Sequence, residues 1–252
     1  MRKGIAIAGI ALIMAGIPAE TAKNPEIIVS AASSLINALN EIIAGYKTAH
    51  PAVSVIPNYG ASGSLQQQIE QGAPVDVFVS ASPKQMDALS AKGLLVEGTR
   101  KDLLENSIVL VVPLGTDGPL SFADAGTKKI IQIALGESKS VPAGQYAEQV
   151  FSFLGILDAV RAKTVYAKDA RQVLAYVESG EVDAGVLYAT DASLSKKIRV
   201  AASAPEKSHD PVIYPGAVIK TSANPGEAED FLSWLSGKEA SLVFVRYGFT
   251  VR

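Results

Sequence analysis

A hydroxyl flanked by glycines, as in Gly60-Ala61-Ser62-Gly63-Ser64, is raw material for a serine nucleophile. The spacing departs from G-x-S-x-G, because Ser64 stands where the last glycine belongs. A nucleophilic serine also needs a base, and the chain has only two histidines. His50 precedes Pro51 at a helix end, and His209 lies in the polar run Glu206-Lys207-Ser208-His209-Asp210, so both read as solvated surface residues. Asp76, inside the apolar run Val75–Ser80, reads as a structural hydrogen-bonding carboxylate. The chain lacks a Walker P-loop, a GxGxxG fingerprint and an HExxH pair. With no cysteine it has neither a thiolate nucleophile nor a sulfur ligand for a metal.

What does recur is a cluster of small or hydroxyl-bearing residues where a strand hands over to a helix. It occurs at Ala31-Ala32-Ser33-Ser34, at Gly60–Ser64, at Val141-Pro142-Ala143-Gly144 and at Lys168-Asp169-Ala170, ahead of helices expected from about 35, 65, 145 and 171. The first turn of a helix carries unpaired N–H groups and the positive end of the helix dipole. Small side chains let a ligand approach those groups, and hydroxyls add donors. Any one such start is an ordinary cap. Four facing a common cleft would form an anion trap, since ligands of open α/β sheets sit at the carboxyl ends of the strands. Residue chemistry alone reaches an α/β protein whose helix starts could hold an anion.

The elements that would position these residues follow from periodicity. Glu26–Ser30, Val53–Ile56 and Val75–Ser80 read as strands, and Leu35, Ala38, Leu39, Ile42, Ile43 and Tyr46 recur at helical spacing over 34–49. A helix is expected over 63–71, and Ser82-Pro83 opens another that ends at Gly93. After Asn106 the pattern restarts, with strands at Ser107–Pro113, Ile130–Leu135, Ala184–Tyr188 and Ile198–Ala202. Helices are expected at 143–154, 157–162 and 169–179. Val212–Lys220 is a last strand, leading to a helix with Asn224 as N-cap, Pro225 next and Glu227 at N3. Alternating strands and helices without an internal repeat predict two consecutive α/β lobes, joined by strand-like crossovers near 105–113 and 205–215.

Composition narrows the class. Hydrophobic residues make up 48% and charged residues 19%, too apolar for a disordered chain. A pI near 5.8 without a basic run argues against a nucleic-acid groove or a polybasic membrane patch. Arg2 and Lys3, the apolar run Gly4–Ile17 and the small residues up to Ala22 match a secretory signal peptide over 1–22. The run is shorter than the ~20 residues of a membrane-spanning helix, and no cysteine follows it to carry a lipid. The expectation is a cleaved, periplasmic protein whose net charge, without Arg2, Lys3 and Glu20, is −3.

The segments AASSL (31–35), YGASGSLQQQIEQGAPVDVFVSA (59–81), ENSIVLVVP (105–113), VPAGQYA (141–147), GVLYATDA (185–192) and RYGF (246–249) extend over most of the mature chain. Together they resemble the periplasmic molybdate-binding proteins of ABC-type transporters. The resemblance implies a bilobal, type II periplasmic-binding-protein-like α/β fold, with two mixed-sheet lobes and a ligand cleft between them. Lobe 1 would comprise 23–106 and the return 211–252, and lobe 2 would comprise 107–210. It implies a monomeric, non-enzymatic solute-binding protein, needing no cofactor, that delivers molybdate or tungstate to a membrane permease. Carried over by motif, the oxyanion-binding residues are Ser34 and Ser62 through their hydroxyls, Ala143 and Ala170 through backbone N–H, and Tyr188 through its phenol. Gly63 stands where the family usually has a further serine. The alternatives are the same fold serving sulfate or another small oxyanion and, less in keeping with the missing histidine, an exported serine hydrolase using Ser62.

Overall fold

The computed structural model describes residues 24–117 and 120–252, so the expected signal peptide at 1–22 lies outside the described residues. Elements β1 (Glu26–Ala32), α1 (Ile36–Ala49), β2 (Ser54–Gly60), α2 (Ser62–Glu70), β3 (Val77–Val79) and α3 (Pro83–Ala91) alternate, and β4 (Lys101–Asn106) ends the first run. The second run holds β5 (Ile108–Pro113), β6 (Ile133–Gly136), α4 (Pro142–Phe153), α5 (Leu157–Arg161) and β7 (Thr164–Ala167). It continues through α6 (Ala170–Ser179), β8 (Ala184–Tyr188), α7 (Ala189–Ser193) and β9 (Ile198–Ser203). The chain ends with β10 (Val212–Val218), α8 (Pro225–Leu235), α9 (Lys238–Arg246) and β11 (Thr250–Val251).

These strands form two mixed sheets, ordered β11-β4-β10-β3-β1-β2 and β7-β6-β8-β5-β9. In the first, β1 runs parallel to β2 and β3, and β10 returns antiparallel between β3 and β4. In the second, β6 runs parallel to β7 and β8, whereas β5 is antiparallel to β8 and β9. The chain therefore crosses between sheets after Asn106 and again between Ser203 and Val212. Helices cover the parallel strands because both sheet faces carry buried apolar side chains. Ile27, Val29 and Ala31 of β1 are fully buried. Asp76 fastens the edge of this arrangement: its Oδ2 accepts from Ile28 N–H at 2.7 Å and its Oδ1 from Ser222 Oγ at 2.5 Å.

Several local readings change. The two histidines are half-buried rather than solvated. His50 stacks on Tyr46 at 4.2 Å and meets Trp234 edge-on, and His209 packs edge-on against Tyr146. The strand expected from Ile130 begins only at Ile133, because the N–H groups of Ile131 and Gln132 turn to Asp183 Oδ2. Asn224 does precede α8 but makes no side-chain cap, since its Nδ2 donates to the Glu26 carbonyl. The elements β4, α7, α9 and β11 were not anticipated. In α9 Ala240 and Phe244 are buried with Val243 and Tyr247 packed beside them, a short stripe at helical spacing, while Leu242 and Val245 face outward.

Candidate functional site

Three of the four helices whose starts were singled out begin within the small residues rather than after them, and α1 begins after its own. Ser62 and Ala170 are the first residues of α2 and α6, Ala143 is the second of α4, and Ser33 and Ser34 form a 3₁₀ turn ahead of α1. The four starts meet. A small cavity is lined by Ala32, Ser33, Ser34, Gly60, Ala61 and Ser62 from the first half of the chain. Val141, Pro142, Ala170 and Tyr188 close it from the second, with Ala81 on the floor. Ala143 follows Pro142 and is fully buried. Because proline has no N–H, Ala143 carries the first amide that α4 can offer.

The surroundings of Ser62, Ser34 and Tyr188 leave each of these hydroxyls able to donate. Ser62, fully buried, accepts from Ala81 N–H at 2.9 Å, which leaves its own hydrogen for the cavity. Ser34 Oγ lies 2.9 Å from the Tyr214 hydroxyl, and Asn106 Nδ2 donates to that phenol at 3.2 Å and to Thr190 Oγ1 at 2.8 Å. With Asn106 donating to the Tyr214 oxygen, the phenol proton is available to Ser34 Oγ and the Ser34 proton is left for the cavity. Tyr188 is buried, and its hydroxyl meets no hydrogen-bond partner among the described residues although its ring lies 5.8 Å from that of Tyr214. Burial, reinforced by Tyr214, pushes the Tyr188 phenol well above its ordinary pKa, so it remains a protonated donor. An orphaned buried hydroxyl costs about 1–3 kcal/mol, a cost a ligand oxygen would remove.

Among the described residues no histidine, carboxylate or basic side chain lines the cavity, so none of them stands beside Ser62 as a base. Asp169, next to Ala170, is occupied as the N-cap of α6, its Oδ1 accepting from Gln172 N–H at 2.9 Å. Sequence reading missed Arg171, the next residue, which ties the two halves together. Its Nη2 donates to Asn37 Oδ1 at 2.8 Å and its Nε to the Ser33 carbonyl at 3.3 Å, and Nε also lies 2.9 Å from Asp191 Oδ1. Asp191 is completely buried, and desolvation raises its carboxyl to about 6 against the opposing pull of Arg171. Tyr214 and Asn106 were missed as well. Only the position of Arg171 beside Ala170 could have pointed to any of these three, since the others lie far away in sequence. Of the two further serines, Ser33 lines the cavity, whereas Ser64 is half-buried and does not.

A small cavity lined by hydroxyls and helix starts, between two α/β halves, is the arrangement of a bilobal solute clamp rather than of an enzyme. The model of the bacterial extracellular solute-binding protein family matches residues 27–250. A Bacillus subtilis protein, YvgL, named as an ABC transporter substrate-binding lipoprotein, is 42% identical over 92% of this chain and 88% of its own. The molybdate-binding protein ModA of Haemophilus influenzae is 36% identical over 96% of both chains. The solved periplasmic molybdate-binding protein of Azotobacter vinelandii superposes with a TM-score of 0.80 over 90% of this chain and 99% of its own, at 23% identity, and so shares the type II periplasmic-binding-protein fold. The chain belongs to the bacterial extracellular solute-binding protein family, in its molybdate-binding branch.

Proposed function

We propose that this chain captures molybdate, or its close analogue tungstate, outside the cytoplasm and hands it to the permease of an ABC transporter. The carrying observation is the cavity where four helix or 3₁₀ starts and Tyr188 converge with donors only. Molybdate is a tetrahedral dianion without a proton at neutral pH, so its site needs donors and no acceptor. A site for hydrogen phosphate would need an acceptor for the ligand's own proton, and no carboxylate among the described residues lines this one. The proposed ligand groups are the hydroxyls of Ser34, Ser62 and Tyr188 and the amides of Ala143 and Ala170. Five charge-assisted hydrogen bonds at ~1.5–3 kcal/mol each give ~8–15 kcal/mol gross. Micromolar-to-nanomolar binding requires ~8–12 kcal/mol, before association costs are subtracted. Neutral donors reach this range without a buried countercharge and its desolvation cost.

The clamp reading assigns 23–106 and 211–252 to one lobe and 107–210 to the other, with closure about the two crossovers. The finer location proposed is the periplasm, reached through the signal peptide at 1–22. N-terminal sequencing of the exported protein tests it, a new terminus near residue 23 being the expected result. Competition calorimetry tests the ligand: molybdate and tungstate should bind with one-to-one stoichiometry and displace sulfate. Tight sulfate binding without a response to molybdate would overturn the assignment.

A further inference from the structure

Gly63, the second residue of α2, touches the opposite lobe through its backbone. Its N–H donates across the cleft to the Ser140 carbonyl at 2.8 Å. A Cβ at position 63 would lie 2.7 Å from both Ser140 Cα and Ser140 O and 3.1 Å from the carbonyl carbon. All three are backbone atoms, so no rotamer change relieves the clash. The loop that carries them is also pinned, with Ser140 N–H and Val141 N–H both donating to the Glu137 carbonyl at 3.0 and 2.8 Å. Nothing inside α2 calls for glycine here. Gly63 is not among the positive-φ residues, and alanine is favoured over glycine in a helix by about 1 kcal/mol. The constraint is this chain's own and comes from the other lobe: here the Ser140 backbone occupies the space that the serine usual in the family would fill.

We propose that Gly63 is a positioning residue for closure: the missing side chain lets the Ser140 backbone dock on α2, and docking sets the start of α4 against the oxyanion. Val141 and Pro142, the next two residues, line the cavity, and Ala143 follows with the first available amide of α4. A side chain at 63 would push this segment outward and draw the Ala143 donor away from Ser62, Ser34 and Tyr188. The proposal rests on the clamp reading given under Proposed function. It gives position 63 a role unlike that of its neighbour Ser62: a side chain there would leave every proposed donor in the chain and still spoil their convergence.

The test compares Gly63→Ala with Gly45→Ala, whose added Cβ would meet nothing within 4 Å on the exposed side of α1. Both variants gain helix propensity, and only one is placed to obstruct the cleft. Three quantities are measured: the melting temperature without added oxyanion, the affinity for molybdate by calorimetry, and compaction by small-angle scattering on adding molybdate, tungstate or sulfate. Gly63→Ala should keep or raise the melting temperature, bind molybdate about tenfold or more weakly and compact less than the native chain. Gly45→Ala should match the native chain in affinity and compaction. Native affinity with full compaction in Gly63→Ala would overturn the proposal, as would a lowered melting temperature with unchanged affinity, which would mark the contact as part of the fold alone. If the native chain compacts with sulfate and ignores molybdate, the ligand assignment falls and the gate is judged with sulfate. If it compacts with none of the three, the clamp reading falls and takes the gate with it.

Discussion

Replacing Ser62 with alanine removes one oxygen that the structure uses twice. The Oγ accepts from Ala81 N–H at 2.9 Å in a fully buried setting, and in the proposed function its hydrogen is donated to the oxyanion. Loss of the donor removes one charge-assisted bond of ~1.5–3 kcal/mol, so molybdate should bind roughly 10–150-fold more weakly. Loss of the acceptor strands the Ala81 amide, at a cost of about 1–3 kcal/mol to the fold. For a chain of this size that lowers the melting temperature by about 2–4 °C per kcal/mol. The two effects separate experimentally, because calorimetry reads the first and thermal unfolding without ligand reads the second. Ser62→Cys discriminates further: the longer, weaker donor should restore part of the packing and little of the affinity. A Ser62→Ala protein with unchanged molybdate affinity would refute the reasoning and remove Ser62 from the site, whatever its stability.

Other substitutions probe neighbouring parts of the account. Tyr188→Phe removes a hydroxyl that has no hydrogen-bond partner among the described residues, so ligand-free stability should hold or rise by up to ~1 kcal/mol while molybdate affinity falls roughly 10–100-fold; equal affinity on calorimetry would free Tyr188 from its proposed role. Asp191, whose carboxyl is raised from 3.8 to about 6, is bound to its proton more tightly folded than unfolded. Its contribution to stability is therefore complete at low pH and lost as pH rises through about 6, a loss on the order of 2–3 kcal/mol. Denaturant unfolding of the native chain and Asp191→Asn between about pH 4 and pH 7 should show that slope only in the native chain, and parallel profiles would contradict it. Gly144→Ala would place a Cβ 2.0 Å from the Gly136 carbonyl oxygen, where the start of α4 rests on the end of β6. It should cost more than ~3 kcal/mol and show as a collapsed yield of folded protein or a sharply lower melting temperature.

Much of the fold was legible because strands and helices here carry strong periodic signals. Ala38, Leu39, Ile42 and Tyr46 make one buried stripe along α1, and Ser82 followed by Pro83 marks a helix start that the structure reproduces, with Ser82 Oγ accepting from Lys84 N–H. Among the elements that escaped, β4 lacks such a signal. Strand β4 reads KDLLEN, with only two buried apolar residues between polar ends, and its place is set by pairing with β10 and β11. At the site, the small residues at helix starts were visible as types, and motif resemblance then selected positions among them. What sequence could not supply was the set of partners that fixes each group. Tyr214 meets Ser34 across 180 residues, Asn106 meets Tyr214 across 108, and Arg171 reaches the Ser33 carbonyl across 138. Such contacts depend on how the sheets lie against each other, which no local pattern encodes. Gly63 shows the same limit, since its reason lies in Ser140 of the facing lobe.

The central claim is that one tetrahedral oxyanion is held by neutral donors at the point where the helix starts converge. Crystals of the mature chain grown with molybdate, measured on either side of the molybdenum absorption edge, would locate the metal without reference to any assumed site. A single anomalous peak inside the cavity, with its oxygens within hydrogen-bond distance of Ser34, Ser62, Ala143, Ala170 and Tyr188, is the predicted result. A peak elsewhere on the surface, or an oxyanion in the cavity contacting a basic side chain instead of these five groups, would contradict it.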